Sequence, residues 1–261
     1  MSLLEKLEDA QTILFLGDTH GDDSRIREAY YQAELLSGVD VVIQLGDFGF
    51  WHGREGAVFL DIVSETATEA GIPFFFIDGN HENFDLLLDM PLDSNGLRPI
   101  RENLTHLPRG FRWSSSGWSF LALGGATSVD ADRRVLGKSL WTQESLTEED
   151  VQKAVSGGHA DFMLTHDCPT GTNIPGISHR KYVDYFSHAE LDRAWDHRDI
   201  LRGVIDVVQP LELFHGHFHV SYDGFIPHEN ASHVTVVRGL ADNNSILSES
   251  IYVKRLVRIE V

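Results

Sequence analysis

The chain has 261 residues, with 21 Lys and Arg against 40 Asp and Glu, a formal net charge of −19. That acid excess excludes a cationic coat for nucleic acid or anionic membrane, since both partners need basic surface. Hydrophobic residues at 42% and charged residues at 23% exclude a disordered chain, and the lone cysteine, Cys168, excludes an intramolecular disulfide. Histidine is the unusual count: there are 14, and imidazole is the commonest metal ligand and the usual near-neutral acid–base group. Met1–Ala10 carries Glu5, Lys6, Glu8 and Asp9 and so does not read as a signal peptide. The longest apolar runs are strand-sized. A cytoplasmic protein with no membrane association is expected, folded as one domain over residues 1–261.

In chain order, Thr12–Leu16 reads as an apolar strand, followed by a helix capped by Ser24 with Ile26, Tyr30 and Ala33 on one face and ended at Ser37-Gly38. Val39–Leu45 is a strand, Glu55–Ala70 a helix closed by Gly71, Pro73–Ile77 a buried strand, and Phe84–Leu88 a short helix. This β-α-β-α-β order predicts a parallel sheet with right-handed crossovers. Ser119–Leu123 is the next strand, and residues 125–145 form a long loop without a period. Thr147 with Asp150 resembles a capping box for a helix to Val155, and Ser187 with Glu190 opens another to about Trp195. Asp161–Leu164, Leu211–Phe214, Val234–Val237 and Ile251–Val257 read as strands; the last three suggest a second, partly antiparallel sheet.

Five polar motifs follow five apolar runs: Gly17-Asp18-Thr19-His20, Gly46-Asp47, Gly79-Asn80-His81-Glu82, Thr165-His166-Asp167 and Gly216-His217-Phe218-His219. Strand ends of α/β sheets are where ligands collect, and the glycines permit sharp turns and close approach. Asp18, Asp47, His20, His166, His217 and His219 offer carboxylate and imidazole, and Asn80 a neutral oxygen. This mixture suits Mn, Fe, Zn or Ni better than Ca. The donors are too many for one tetrahedral zinc; shared between two ions with a bridging carboxylate, they leave room for water. A single Gly-Asp is usually a turn and a single Gly-His-Phe-His is compatible with an exposed loop, but the five in series are not explained that way.

The five motifs together resemble those of the calcineurin-like metallophosphoesterase superfamily: Asp18-Thr19-His20, Gly46-Asp47, Gly79-Asn80-His81-Glu82, His166 and Gly216-His217-Phe218-His219. The resemblance implies an α/β, four-layer sandwich of two mixed sheets flanked by helices. It implies that Asp18, His20 and His219 hold one divalent metal, that Asn80, His166 and His217 hold the other, and that Asp47 bridges, with Mn the first choice. It further implies that a metal-bridging hydroxide attacks phosphorus in a small phosphomonoester, phosphodiester or nucleotide. His81 would then donate to the phosphate or protonate the leaving group.

One departure stands out. Many members, including protein serine/threonine phosphatases and diadenosine tetraphosphate hydrolases, carry a second acid three residues after Gly-Asp, which orients the catalytic histidine. Phe50 occupies that position here. Asp78, two residues before Asn80, is the substitute the sequence offers, and the change argues against a protein phosphatase. The stretch Gly124–Asp130 with Arg133, Arg134, Gly137, Trp141 and Glu144 resembles a loop of small bacterial and phage metallophosphoesterases. It reads either as a pocket wall with an arginine for phosphate or as a surface Ω-loop. Trp51, His52 and Arg54 follow Asp47 closely enough to rim the site, with Trp51 stacking on a base or packing. His215 reads as a residue that holds a ligand in place. His106, His159, His188, His197, His228 and His233 read as surface or local hydrogen-bonding groups, His179-Arg180-Lys181 as a solvated loop or a contact to substrate phosphate, and Cys168 as packing. The competing readings are a metal-dependent nuclease, which the charge of −19 disfavours for lack of a basic stripe, and a non-catalytic scaffold, which the full ligand set disfavours.

Overall fold

The computed structural model describes residues 1–177, 180–229 and 232–257. In chain order the elements are α1 (Leu3–Glu8), β1 (Thr12–Leu16), α2 (Asp23–Leu36), β2 (Val41–Gln44), α3 (Gly53–Ala70), β3 (Phe74–Phe76), α4 (Phe84–Asp89), β4 (Arg98–Arg101), β5 (Leu104–His106), β6 (Phe111–Ser115) and β7 (Trp118–Leu123). There follow α5 (Glu148–Ser156), β8 (Phe162–Thr165), α6 (His188–Val208), β9 (Glu212–His215), β10 (Tyr222–Pro227), β11 (Val234–Gly239), α7 (Leu247–Ser250) and β12 (Ile251–Arg255).

The strands form two six-stranded mixed sheets, ordered β12-β1-β2-β3-β5-β4 and β10-β11-β9-β8-β7-β6. In each, the inner strands run parallel and the two edge strands antiparallel. The period-2 alternation of a strand puts successive residues on opposite faces. Ile13 and Phe15 of β1, Ile43 of β2 and Phe75 of β3 therefore meet Phe120, Phe162 and Phe214 of the second sheet. Phe15 stacks on Phe214 at 4.2 Å across that interface. Leu14, Leu16, Val42, Phe74 and Phe76 face the other way, onto Ile26 and Tyr30 of α2 and Phe59 and Val63 of α3. Leu121, Met163 and Leu213 likewise cover Leu201, Val204 and Val208 of α6. Both faces of both sheets are thus buried, which gives the expected four layers and explains the nearly unbroken apolar runs of β1, β2, β3 and β8.

Several expectations are corrected. The cap of α2 is Asp22, whose carboxylate accepts the Ser24 and Arg25 backbone N–H groups, while Ser24 lies within the first turn. Helix α6 runs on to Val208 rather than stopping near Trp195, because its buried face continues through Leu201, Val204, Ile205 and Val208. Strand β12 joins the first sheet, antiparallel to β1, and not the second. Strands β4, β5, β6 and β10 add to those expected from the sequence. The capping box at Thr147 and Asp150 and the left-handed cap at Gly71 are present as expected. No helix among the described residues is long and apolar enough to cross a membrane.

Candidate metal centre

The carboxyl ends of β1, β2, β3, β8 and β9 open on one edge of the sandwich, where the two sheets meet, and the five motifs converge there. The chain must turn tightly at each strand end. Asp47, His20, His217 and His219 all take left-handed backbone conformations, with φ of 53°, 46°, 67° and 55°. Such strain in non-glycine residues persists only where surrounding structure enforces it, and it clusters at functional sites. Gly46 adds a close approach to its left-handed φ: a Cβ there would lie 2.4 Å from Nδ1 of His166.

Two groups of three side chains result. In one, Asp18, His20 and His219 bring ligand atoms within 4.8 Å of one another; in the other, Asp47, His166 and His217 do so. His219 Nε2 lies 3.2 Å from Asp18 Oδ2 and 3.3 Å from His20 Nε2. His166 Nδ1 donates to the Leu45 carbonyl at 2.7 Å, which turns Nε2 toward Asp47 Oδ1 at 3.3 Å and Asn80 Oδ1 at 3.2 Å. With Nδ1 carrying the proton, three acceptor atoms face one another, and only a second proton on His166 or a cation reconciles them. The donor set therefore fits borderline divalent ions: nitrogen and oxygen atoms, several of them buried, already gathered.

The charges respond accordingly. Burial opposes an imidazolium at His166, but Asp47 and Asp18 outweigh it and push His166 up to about 10. Burial likewise opposes ionisation of Asp47, yet His166 and His81 hold it well below the usual carboxylate range. His217 is pushed down to about 4 by burial, so it is a neutral imidazole at pH 7. Burial and the nearby Asp47 charge raise Glu82 to about 8, while its carboxylate accepts backbone N–H from Phe48 and Gly79, each at 2.6 Å. Glu82 thereby ties the loop after β2 to the loop after β3.

Asp47 Oδ1 is fixed by the backbone N–H groups of Asn80 and His81, both at 2.8 Å. Asn80 is oriented at its other end: its Nδ2 donates to Ser128 Oγ at 2.9 Å, and that hydroxyl donates to Glu144 Oε2 at 2.5 Å. His215 donates from Nδ1 to the Gly216 carbonyl and accepts the Tyr222 hydroxyl at Nε2, so it braces the loop that carries His217. Asp242, just past β11, faces His219 Nδ1 at 3.4 Å. Glu82, Ser128 and Glu144 lie in motifs that sequence reasoning singled out without giving them these contacts, and Asp242 was missed. Asp242 carries the same signal as the expected ligands, an acid just past a strand.

His81 lies at the edge of the site, with Nε2 3.8 Å from Asp47 Oδ2. Its partner is not Asp78. The Asp78 carboxylate turns to the opposite side and pairs with His106 at 3.1 Å and Arg109 at 2.8 Å. Arg134 is the partner instead, donating from Nη2 to His81 Nε2 at 2.7 Å while its Nε pairs with Asp130 at 2.8 Å. Burial lowers the His81 pKa; Asp47 opposes this, and the Arg134 charge adds to the lowering. Phe50, where many relatives carry the second acid, is buried against Phe76.

A hollow of about 450 Å³ opens beside His81, lined by Trp51, His52, Arg134, Lys138 and Trp141 among others. The loop at 125–145 is therefore a wall of the site and not a detached surface loop. Trp51 is exposed at its rim and donates from Nε1 to the His81 carbonyl. Arg54 is exposed on the first turn of α3 and does not line this hollow. Arg133 also departs from expectation: it points outward, donating to the Tyr185 carbonyl and stacking over the Tyr185 ring. His106 and His197 are buried, His197 donating to Asp167 at 2.7 Å, so neither is a surface group. Cys168 is buried as expected, and burial pushes its thiol up to about 11. His179 lies outside the described residues.

Residues 11–221 match the calcineurin-like phosphoesterase family, a span that holds all five motifs. The chain belongs to that family. Among solved structures, it resembles a hypothetical protein from Thermus thermophilus at 13% identity and a TM-score of 0.41, covering 90% of this chain and 79% of that one. It also resembles a novel phosphatase from Mycoplasma pneumoniae at 13% identity and a TM-score of 0.43, covering 92% and 76%. No curated protein matches.

Proposed function

We propose that this calcineurin-like chain is a phosphoester hydrolase that works with two divalent ions. The observation that carries the reading is the pair of three-residue groups, each with ligand atoms within 4.8 Å, built from separate strand ends. Asp18, His20 and His219 would hold one ion and Asn80, His166 and His217 the other, with Asp47 shared. Bound there, such ions supply Lewis acidity, making water acidic at neutral pH and neutralising phosphate oxygens. Mn is the first ion to test, with Fe, Zn and Ni compatible with the same donors.

The chain's own groups do the rest. The backbone N–H groups of Asn80 and His81 hold the Asp47 carboxylate in one orientation. Arg134 is always cationic and lies beside His81 in the hollow. Its guanidinium would take the phosphate oxygens, and His52 and Lys138 line the same hollow. The substrate is a small phosphoester, because a net charge of −19 repels a long polyanion while a small one feels chiefly the metal pair. The single cysteine fits a reducing, cytoplasmic setting.

The test is Asp47→Asn, with metal content and hydrolysis of bis(p-nitrophenyl) phosphate and oligonucleotides measured on the same preparation. The expected result is loss of bound metal and of turnover, with oligonucleotides uncut by the native protein. Full metal content and full rate in the variant would overturn the ligand assignment; cleaved oligonucleotides would point to a nuclease.

A further inference from the structure

A second hollow, of about 350 Å³, opens beside His217 and His219, and its walls are richer in aliphatic and phenyl groups. His217 and His219 border it, and Val183, Phe186, Trp195 and Phe218 make much of the wall. The charged Asp167, Lys181 and Arg198 also line it. Its size falls at the small end of the range of about 300–1,000 Å³ typical of small-molecule sites. Phe218 is held in place by Arg198, which lines the hollow with it. The Arg198 guanidinium stacks over its ring at 5.3 Å and is itself anchored by donating to the Cys168 carbonyl at 2.8 Å. Trp195 and Leu191 are buried on α6, so this wall is part of the packed fold. The hollow beside His81 carries His52, Arg134 and Lys138 together with Trp51 and Trp141, and lacks the aliphatic side chains that dominate this one.

Rings and aliphatic carbon dominate this wall, and its Arg198 guanidinium is already engaged by the Phe218 ring and the Cys168 carbonyl. A phosphate gains little from such a surface, and apolar surface left open to water is costly. The surface nevertheless abuts two histidines of the metal-binding groups. We propose that this hollow receives the ester group that phosphorus retains, and that the group carries a flat ring system of nucleobase size, stacked among Phe186, Trp195 and Phe218. The departing group then leaves on the side of His81 and Arg134. The preferred substrates are phosphodiesters with one ring-bearing retained group. The inference rests on the phosphoesterase reading and goes further by assigning a side and a chemistry to each ester group. In the reaction one P–O bond to the departing group breaks and one P–O bond to the oxygen of water forms. One proton of water goes to the departing oxygen and the other stays on the new phosphate monoester or passes to solvent.

Two diesters with the same departing group make the test: thymidine 5′-(p-nitrophenyl phosphate) and methyl p-nitrophenyl phosphate, each with Mn-loaded protein. The ring-bearing ester is expected to have a kcat/KM at least about tenfold higher, expressed in KM, from burial of the ring. Ala194→Trp fills the hollow and Phe186→Ala removes one wall; each should lower that ratio severalfold, with melting curves confirming that both variants fold. Calorimetry with thymidine 5′-monophosphate and methyl phosphate, on metal-free and Mn-loaded protein, reads the same preference without turnover. Equal kcat/KM for the two esters in the native protein, or a ratio unchanged in both variants, overturns the assignment and leaves the phosphoesterase reading intact. Failure to hydrolyse either ester with metal bound overturns the phosphoesterase reading. In that case equal calorimetric affinities would overturn the ring site as well, and tighter binding of the nucleotide would keep it.

Discussion

Ser128→Ala removes one oxygen that has no contact with either group of metal-binding character, and we expect it to weaken metal binding. Ser128 Oγ accepts from Asn80 Nδ2 at 2.9 Å and donates to Glu144 Oε2 at 2.5 Å, and all three residues are buried. The variant leaves an amide N–H and a carboxyl oxygen without this partner, each at a cost of about 1–3 kcal/mol. More telling is the loss of orientation. A carboxamide with nothing to hold its NH₂ end can flip, which turns a hydrogen-bond donor toward His166 in place of the oxygen now 3.2 Å away. Residues that orient a ligand in this way typically change metal affinity by about 10–100-fold, or about 1.4–2.7 kcal/mol. The assay is competition for Mn against a chromogenic chelator, with Asn80→Ala measured alongside. An affinity within about twofold of native for Ser128→Ala, with clear loss in Asn80→Ala, would refute the idea that the hydroxyl orients the ligand.

Other outcomes follow from the same geometry. Burial pushes Glu144 up to about 7, against the hydrogen bond from Ser128, whereas the unfolded value is about 4.3. The folded value is the higher, so this contribution to stability is complete below about pH 4 and is lost as the pH rises through about 7. Urea midpoints at pH 5 and pH 8 should differ more for the native protein than for Glu144→Gln; equal differences would exclude Glu144 as the source. Arg109 is half-buried and satisfies Asp78, Asp150 and the carbonyls of Gln143, Glu144 and Ser145. Arg109→Ala leaves the Asp78 charge buried without its main partner and should cost about 3–5 kcal/mol, read by urea denaturation; a loss below about 1 kcal/mol would mean water replaces the guanidinium. Added Mn should raise the melting temperature, because a ligand at 100 times its Kd stabilises by about 2.7 kcal/mol, and a chelator should reverse the rise. A melting temperature indifferent to both would count against the metal centre.

The seven candidate ligands are readable from sequence for a physical reason. Each follows an apolar run that has to be a buried strand, and parallel strands in two packed sheets bring their carboxyl ends to one edge. What holds the ligands is harder to read. Ser128 and Glu144 reach Asn80 from a loop without periodicity, and Glu144 looks in sequence like any charged loop residue. Asp78 suggests itself as the partner of His81 because it is close in sequence. The chain turns between Asp78 and Asn80, however, so the two side chains face opposite sides, toward His106 and toward His166. The edge strands Arg98–Arg101 and Tyr222–Pro227 escape notice because Pro, Arg or Gly interrupts their apolar pattern. Helix α6 reads as shorter than it is because Asp196, Arg198, Asp199 and Arg202 obscure the apolar stripe that resumes at Leu201.

The place of β12 bears on how the protein is made. β1 delivers Asp18 and His20, and its outer edge is covered by β12, the last strand to emerge in chain order, with Gly17 N–H donating to the Ser250 carbonyl just beyond. Until then the nascent first sheet shows an unpaired row of amides and carbonyls along an apolar strand, an open template for another chain. Synthesis at about 5–20 residues per second leaves that edge bare for many seconds after β1, β2 and β3 are available to pair. A tendency of forms that lose β12 to associate through the bared edge of β1 is what this topology predicts.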